Sequence, residues 1–419
     1  MRRVTNNEAS RGHTLLKALG ITILALLILV NIAGAEPYAY ITNAGSNTVS
    51  VIDIAINKVT STVNVGDLPC GVAINPGGKK VYVTNAGSNN VSIIDTTKNK
   101  VTSTLDVESE PFGIAIDPTG TRVYVTSIVS NTVSVINTIT NTVIATVPVG
   151  SYPQAIAVSP DGTRAYVTNM VSNSISVIDT ITNTVTATVN VDNYPSGIVV
   201  NPTGTKVYVT NMVNKSVSVI DTATNTVTSI VAVGSGANGI AVNPDGTKAY
   251  VANEYTNNVS VIDTATNKVT ATVNVGFQPI GIAVTPDGTK VYVVNSGSNS
   301  VFIIDAATNK VTARVNVGES PMALGQFIGS LPAKSVPSIA AFSAYPTFGK
   351  APLTVRFDDK STGSPNSWSW RFGDGKTSKS QNSVHKYTKV GRYNVSLKVK
   401  NADGSNDKTV SKYITVKNK

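Results

Sequence analysis

Tyrosine stands at positions 40, 82, 124, 166, 208, 250 and 292, one every 42 residues without a slip. Each sits in a nearly repeated phrase, such as Tyr82-Val83-Thr84-Asn85, Tyr166-Val167-Thr168-Asn169 and Tyr208-Val209-Thr210-Asn211. A fixed period near 40 residues with four strand-like runs in each period marks a repeat architecture. Seven copies of a four-stranded unit predict an all-β, seven-bladed ring.

One period, residues 71–112, shows the unit. Gly71 to Ile74, Val81 to Thr84, Val91 to Ile94 and Val101 to Val107 read as four strands. The turns between them carry Asn75-Pro76-Gly77-Gly78, Ala86-Gly87-Ser88-Asn89 and Asp95 to Asn99. Proline there fixes one φ and glycine accepts a positive one. Branched residues fall on both faces of the strands, as expected for a sheet held between two neighbours. Four short strands at about 8–12-residue spacing is the all-β signature.

The ends of the array carry topology. Before Tyr40 there is no room for a first strand outside the amino-terminal leader. The last first-strand segment, Ala323-Leu324-Gly325-Gln326-Phe327, has no further strands of its own unit after it. The carboxy-terminal strand is therefore expected to pair beside the strand containing Tyr40, completing the first blade and leaving no open edge.

Residues 1–35 do not share the repeat. Arg2, Arg3, Arg11 and Lys17 precede an apolar run of 13 residues, Ala18 to Val30, followed by Ala33-Gly34-Ala35. That is the layout of a secretory signal with cleavage after Ala35. The run is short against the roughly 20 apolar residues of a membrane span, and a retained anchor is the alternative. Either way the remainder is expected outside the cytoplasm. The single cysteine, Cys70, excludes an intrachain disulfide.

The phrases Tyr-Val-Thr-Asn, Val217-Ser218-Val219-Ile220-Asp221 and Asn243-Pro244-Asp245-Gly246-Thr247 resemble the YVTN β-propeller repeats of archaeal surface-layer proteins over about residues 38–328. Ser127 in place of the phrase-ending Asn and Asn137 in place of the Asp are minor departures. The propeller is assigned residues 36–328 and a linker 329–338. Beyond it the period vanishes. Trp370-Arg371-Phe372-Gly373-Asp374-Gly375, His385, Tyr387 and the alternating Tyr393, Val395, Leu397 and Val399 resemble a PKD domain, an immunoglobulin-like β-sandwich, over residues 339–419. That resemblance implies a spacer or adhesive module outside cells, with Asp374 in a turn.

Charge divides along the same boundary. Residues 36–333 hold 14 Lys and Arg against 18 Asp and Glu, and residues 334–419 hold 16 against 5. A lysine-rich β surface explains the tail. Attraction to an acidic wall polymer, a glycan or anionic lipid is the functional alternative. Nucleic acid is not expected as a partner.

Residues for chemistry are scarce. His13 lies in the leader and His385 in the PKD-like segment, so the propeller has no histidine. That excludes a His/Cys zinc site, a Ser-His triad and histidine-ligated haem there. Asp53, Asp95, Asp179, Asp221, Asp263 and Asp305 recur one per blade at a hairpin turn, where capping their own turn explains them. The seven residues Cys70, Phe112, Gln154, Ser196, Asn238, Ile280 and Met322 are candidates for the central mouth. They contain no titratable group except the thiol, which argues against acid–base chemistry. No catalytic, cofactor-binding or metal-binding residue is assigned, and no cofactor is expected.

Differences among the repeats are the remaining signal. The turn after the second strand reads Ile128-Val129, Met170-Val171 and Met212-Val213 in three consecutive blades, where others have Ala-Gly, Ser-Gly or Glu-Tyr. Nearby crossings offer Phe112, Tyr152 and Tyr194. These nine residues form a candidate contact patch for proteins or glycans. Asn90, Asn214, Asn258 and Asn394 lie in Asn-x-Ser sequons and are candidate glycosylation sites. The expected role is an exported surface-layer or adhesion protein acting by multivalent contact with no chemical step. A carbohydrate-binding module and, further off, a propeller lactonase or lyase are the alternatives.

Overall fold

The computed structural model describes residues 37–330, 338–363, 365–401 and 404–418. Residues 1–36, with the leader and its cleavage point, and most of the linker lie outside them. The described chain is all-β, with one short 3₁₀ turn at Ser296–Ser298. Among the described residues no helix is long and apolar enough to cross a membrane.

Seven antiparallel four-stranded sheets run from Pro37 to Ser330. In the fourth sheet the strands are Pro153–Val158, Arg164–Asn169, Ser174–Asp179 and Thr184–Asn190, and the others follow it at the 42-residue step. Second strands are buried on both faces, as in Lys206–Asn211, whereas fourth strands are largely exposed. Near-continuous Val, Ile and Tyr is the pattern of a strand covered on both sides. The cover comes from neighbouring sheets. Tyr82, Val91 and Ile93 pack with Ile114, Val123 and Val125 of the next sheet, and the same contact recurs down the array. Each such side chain contributes about 1.5–3 kcal/mol on burial.

Each residue of the recurring phrase makes its own contact. The tyrosine is buried in every sheet, and the Tyr292 hydroxyl donates to Asn57 Oδ1 at 2.6 Å. The threonine hydroxyl crosses to the following sheet: Thr84 donates to Phe112 O at 2.7 Å, Thr168 to Ser196 O at 2.8 Å and Thr210 to Asn238 O at 2.6 Å. The asparagine ties its own hairpin, as Asn211 Nδ2 does to the Ser216 and Ser218 hydroxyls at 3.0 Å each. A cation opening the second strand reaches the third–fourth turn of the next sheet. Lys80 Nζ meets Thr138 O at 3.0 Å, Arg164 meets Thr222 O at 2.6 Å, and Arg122 meets Thr180 O.

The seventh and first sheets make these same contacts. Lys290 Nζ lies 3.2 Å from Ile54 O, and Val294, Val301 and Ile303 join one core cluster with Ile41, Val49 and Val51. Ile328–Ser330 pairs antiparallel with Pro37–Ala39, and Tyr40 N donates to Phe327 O.

Here the structure corrects the expectation that Ala323–Phe327 itself forms the closing strand. Pairing starts at Pro321 opposite Asn43 and resumes at Ile328 opposite Ala39, seven steps on one strand against four on the other. In the fourth sheet the same stretch, Pro153 to Ile156 opposite Asn169 to Val167, takes three steps against two. The surplus residues turn aside. Leu324 pairs in parallel with Gly71 on the second sheet, its amide donating to Cys70 O and its carbonyl accepting from Val72 N. Gly325 has φ of 104°, and a Cβ there would sit 2.8 Å from Val72 O and 2.9 Å from Ile114 O, so only glycine fits. The closing strand runs to Ser330, two residues into the stretch read as linker.

The second described domain is a two-sheet sandwich. Phe342–Tyr345, Leu353–Asp359 and Ser383–Tyr387 form one sheet, and Phe348–Lys350, Gly404–Lys417, Gly391–Asn401, Ser367–Arg371 and Thr377–Ser378 the other. Trp370 and Phe372 are buried with Phe357, Tyr387, Val395, Leu397 and Val399. Asp374 stands in the turn and meets His385 Nε2 at 2.8 Å. Burial pushes the Asp374 carboxyl pKa up, and hydrogen bonds from His385 and Lys376 N outweigh that, leaving it below the usual carboxylate range. A depressed folded pKa gives stability that is present above the unfolded value near 4 and lost as pH falls through the folded value. Urea melts of this domain should therefore lose midpoint below about pH 4, and Asp374→Asn should flatten that acid limb. An unchanged limb in the variant would refute the assignment.

Candidate functional site

The first strands of the third to seventh sheets line a cavity of about 310 Å³. Its walls are Ile, Ala, Val and Gly backbone and side chain, with Leu324 to Gln326 filling one side. Cys70, Phe112, Gln154, Ser196, Asn238 and Ile280, each the second residue of a first strand, and their equivalent Met322 stand at one mouth. Cys70 is buried, with its thiol pKa pushed up to about 12 by burial. It should stay inert to a disulfide reagent in the native chain and titrate as one thiol in denaturant. Prompt native labelling would contradict this.

Gln154, Ser196 and Asn238, on three consecutive sheets, are joined by hydrogen bonds. Ser196 Oγ lies 3.1 Å from Gln154 Oε1 and 3.0 Å from Asn238 Oδ1, and Asn238 Nδ2 donates to Glu254 Oε2 at 3.1 Å. A hydroxyl has one proton to give. Ser196 therefore shares that proton between the Gln154 and Asn238 amide oxygens, and Asn238 carries the run on by donating to Glu254. Ser196 and Asn238 are buried, while Gln154 and Glu254 are half-buried. Sequence reasoning assigned the mouth no carboxylate and missed Glu254, because it arrives from the second–third turn. The signal was the Glu254-Tyr255 pair, where three of the seven turns have a small residue and glycine and three an apolar pair.

The remaining mouth residues, Phe112, Ile280 and Met322, are apolar and half-buried. The mouth is thus polar over the fourth to sixth sheets and mostly apolar elsewhere.

Around it lie the crossings between sheets. Leu68, Glu110, Tyr152, Tyr194, Gln278 and Ser320 all have φ between 48° and 60°, a left-handed backbone that costs a non-glycine residue about 1–2 kcal/mol. An asparagine of the preceding sheet offsets this by accepting the strained amide, as Asn131 does for Tyr152 at 2.8 Å and Asn173 for Tyr194 at 3.0 Å. One repeat has Lys215 in that asparagine's place, and there the crossing residue is Gly236, with φ of 74°. The Tyr255 ring lies 2.9 Å from where a Gly236 Cβ would stand. Tyr255 thus occupies the place that a tyrosine fills on the two sheets before, and its hydroxyl reaches Met212 Sδ at 3.7 Å.

The nine candidate patch residues separate by turn position. Val129, Val171 and Val213 at the second position are exposed, as are Tyr152 and Tyr194. Met170, Met212 and Phe112 are half-buried. Ile128 is a correction: it is 5% exposed. Its amide donates to Glu110 O at 3.0 Å, as Met170 N does to Tyr152 O and Met212 N to Tyr194 O. The first turn position is therefore pinned to the crossing, and a short branched side chain there packs inward.

Of the sequons, Asn214 is exposed at a turn tip. Asn90 and Asn258 are half-buried and accept from Asn85 and Asn253 at 2.8 Å. Asn394 is exposed and accepts from Lys412 N at 2.7 Å.

The recurring aspartates cap their turns. Asp95 accepts from Thr97 N and Asp305 from Thr308 N. Hydrogen bonds from Thr97, Thr182, Thr224, Thr266 and Thr308 hold the carboxyls of Asp95, Asp179, Asp221, Asp263 and Asp305 below the usual range. Asn137 performs the same turn with an amide oxygen. Among the described residues no three His, Cys, Asp or Glu side chains gather into a metal-binding group.

Comparisons with known proteins agree with this architecture. Residues 201–285 match a YNCE-like beta-propeller family, and residues 336–416 match a PKD domain. A PE-PGRS family protein, PE_PGRS18 of Mycobacterium tuberculosis, is 57% identical over 37 residues, covering 9% of this chain and only 8% of the relative. Kuenenia stuttgartiensis hydrazine synthase superposes with a TM-score of 0.60 at 23% identity, covering 64% of this chain and 92% of that one. A protein of unknown function from Desulfotomaculum acetoxidans gives 0.59 at 17% identity, covering 69% and 99%. At such identities the likeness concerns fold alone. The chain carries a YNCE-like β-propeller and, after it, a PKD domain.

Proposed function

We propose that the seven sheets close into a ring and that the chain is an exported cell-surface protein of surface-layer or adhesive type, making multivalent contacts without a chemical step. The reading of a closed ring draws support from the Lys290–Ile54 and Tyr292–Asn57 contacts between the last and first sheets. The functional reading rests on one observation: turns on one face repeat, while those on the other diverge and expose Val129, Val171, Val213, Tyr152 and Tyr194 on consecutive sheets. Exposed apolar and tyrosine side chains at neighbouring loop tips suit protein partners or glycans. PKD domains are typical of extracellular proteins, which agrees with export. The basic second domain adds attraction to acidic wall polymer.

Fractionation of native cells, with mass spectrometry of the mature amino terminus, tests the proposal. The expected result is a chain starting after Ala35 in the surface fraction. A soluble cytoplasmic chain retaining residues 1–35 would overturn it.

A further inference from the structure

We propose that the polar side of the mouth is a binding site for neutral oligosaccharide, with half-buried Gln154 and Glu254, held in place by buried Ser196 and Asn238, taking sugar hydroxyls and Tyr152, Tyr194 and Tyr255 stacking on successive sugar rings. The proposal rests on the contact role above and gives it a ligand class and a location.

Ser196 and Asn238 are buried polar groups at a mouth whose other positions are mostly apolar. Burying them costs free energy unless each is bonded, and the bonds that link Gln154, Ser196, Asn238 and Glu254 satisfy them. Fixed side chains in such a network present their remaining lone pairs and protons at set angles. The half-buried Glu254 carboxylate has an oxygen outside the Asn238 bond, and at the opposite end Gln154, whose oxygen accepts from Ser196, keeps its amide N–H donors. Alternating donors and acceptors ending on a carboxylate match vicinal hydroxyls.

Aromatic residues stand beside this polar run. Tyr152 and Tyr194 keep a left-handed backbone at positions where Ser320 and Gln278 show that small or polar residues also serve. Where the third position becomes glycine, Tyr255 restores a ring over it from another loop. Three tyrosines thus recur on consecutive sheets, and each is exposed.

Competing ligands fit less well. A cage for an organic cation needs rings in mutual contact, and no ring contact joins Tyr152, Tyr194, Tyr255 and Phe277; the ring pairs among the described residues lie in the second domain. Anionic ligands meet Glu254 and no lysine or arginine among the seven mouth residues. Separated rings beside neutral amides and one carboxylate suit an extended, uncharged, hydroxyl-rich chain, whose sugar rings offer C–H faces to aromatics and hydroxyl edges to amides.

Isothermal titration of the full mature chain with cellohexaose, chitohexaose and mannohexaose tests this, with a hyaluronan hexamer as the anionic control. At least one neutral hexasaccharide should bind and the hyaluronan hexamer should not. Glu254→Gln and Tyr194→Ala should each weaken binding by about tenfold or more while melting like the parent. Should either variant misfold, Ser196→Ala and Tyr255→Phe take its place, the first weakening binding and the second preserving it. Absence of binding by every neutral hexasaccharide at millimolar concentration, or binding unchanged in folded Glu254→Gln and Tyr194→Ala, overturns the site. Fractionation separates the two proposals: a chain that stays at the surface but binds no sugar sinks the site alone, and a cytoplasmic chain sinks the contact role on which it rests.

Discussion

Deleting Pro321–Ser330 from the full chain should cause the largest loss of stability available in the propeller, and should make the protein aggregate. Phe327 and Ile328 are 0% and 2% exposed in the cluster that joins the seventh, first and second sheets. Removing a buried Phe alone costs about 3–5 kcal/mol. The deletion also strips Tyr40 N, Thr42 O and the Cys70–Val72 backbone of their partners, and each buried group left unsatisfied costs a further 1–3 kcal/mol or so. What remains is an exposed edge at Pro37–Asn43, a template for pairing with other chains. Calorimetry with light scattering reads both effects. Two point variants locate the cause: Phe327→Ala removes packing, and Gly325→Val forces a Cβ against the second and third sheets. A deletion variant that keeps the parent's size in solution and melts with it would show that the last strand does not complete the first sheet.

Trp370→Ala should unfold the PKD domain and leave the propeller transition in place. Trp370 is fully buried, meets Phe342, Phe357 and Phe372 at centroid distances of 5.3, 5.6 and 6.4 Å, and donates Nε1–H to Ser380 O at 2.9 Å. Truncation costs about 3–5 kcal/mol, and a domain of this size holds on the order of 5–10 kcal/mol. Its hydrophobic cluster shares no residue with those of the propeller. Thermal scans should therefore show one transition moving down by many degrees and the other staying still. Both transitions moving together would mean that the two domains fold as one cooperative unit.

Most of the fold was legible because it is periodic. A phrase repeated seven times averages out local accidents, and each of its residues has one physical role. Val is buried, Tyr and Thr reach the next sheet, and Asn closes the hairpin. Legibility failed where the chain departs from period. Leu324 to Gln326 look like another first strand in composition, but their surplus length shows only once pairing is counted against Asn43 and Ala39. Ile128 looks like a loop tip, but its backbone bond to Glu110 places it inward. Glu254 and Asn238 are 16 residues apart in sequence. They meet because a turn from one end of a hairpin folds over the crossing from the other, a juxtaposition that no spacing rule announces. The strained tyrosines were named as contact candidates for their chemistry; their left-handed backbone is visible only in three dimensions.

The first strand made waits for the last. Ala39 finds its partner Ile328 only after about 290 further residues have been synthesised, tens of seconds at roughly 5–20 residues per second. Until then six sheets can form from local hairpins, while the amino-terminal segment keeps one edge unpaired. Synthesis through Ser330 is thereby made a condition for sealing that edge. A chain terminated before that point carries its own mark of incompleteness, an open apolar strand, to whatever cellular machinery clears unfinished proteins.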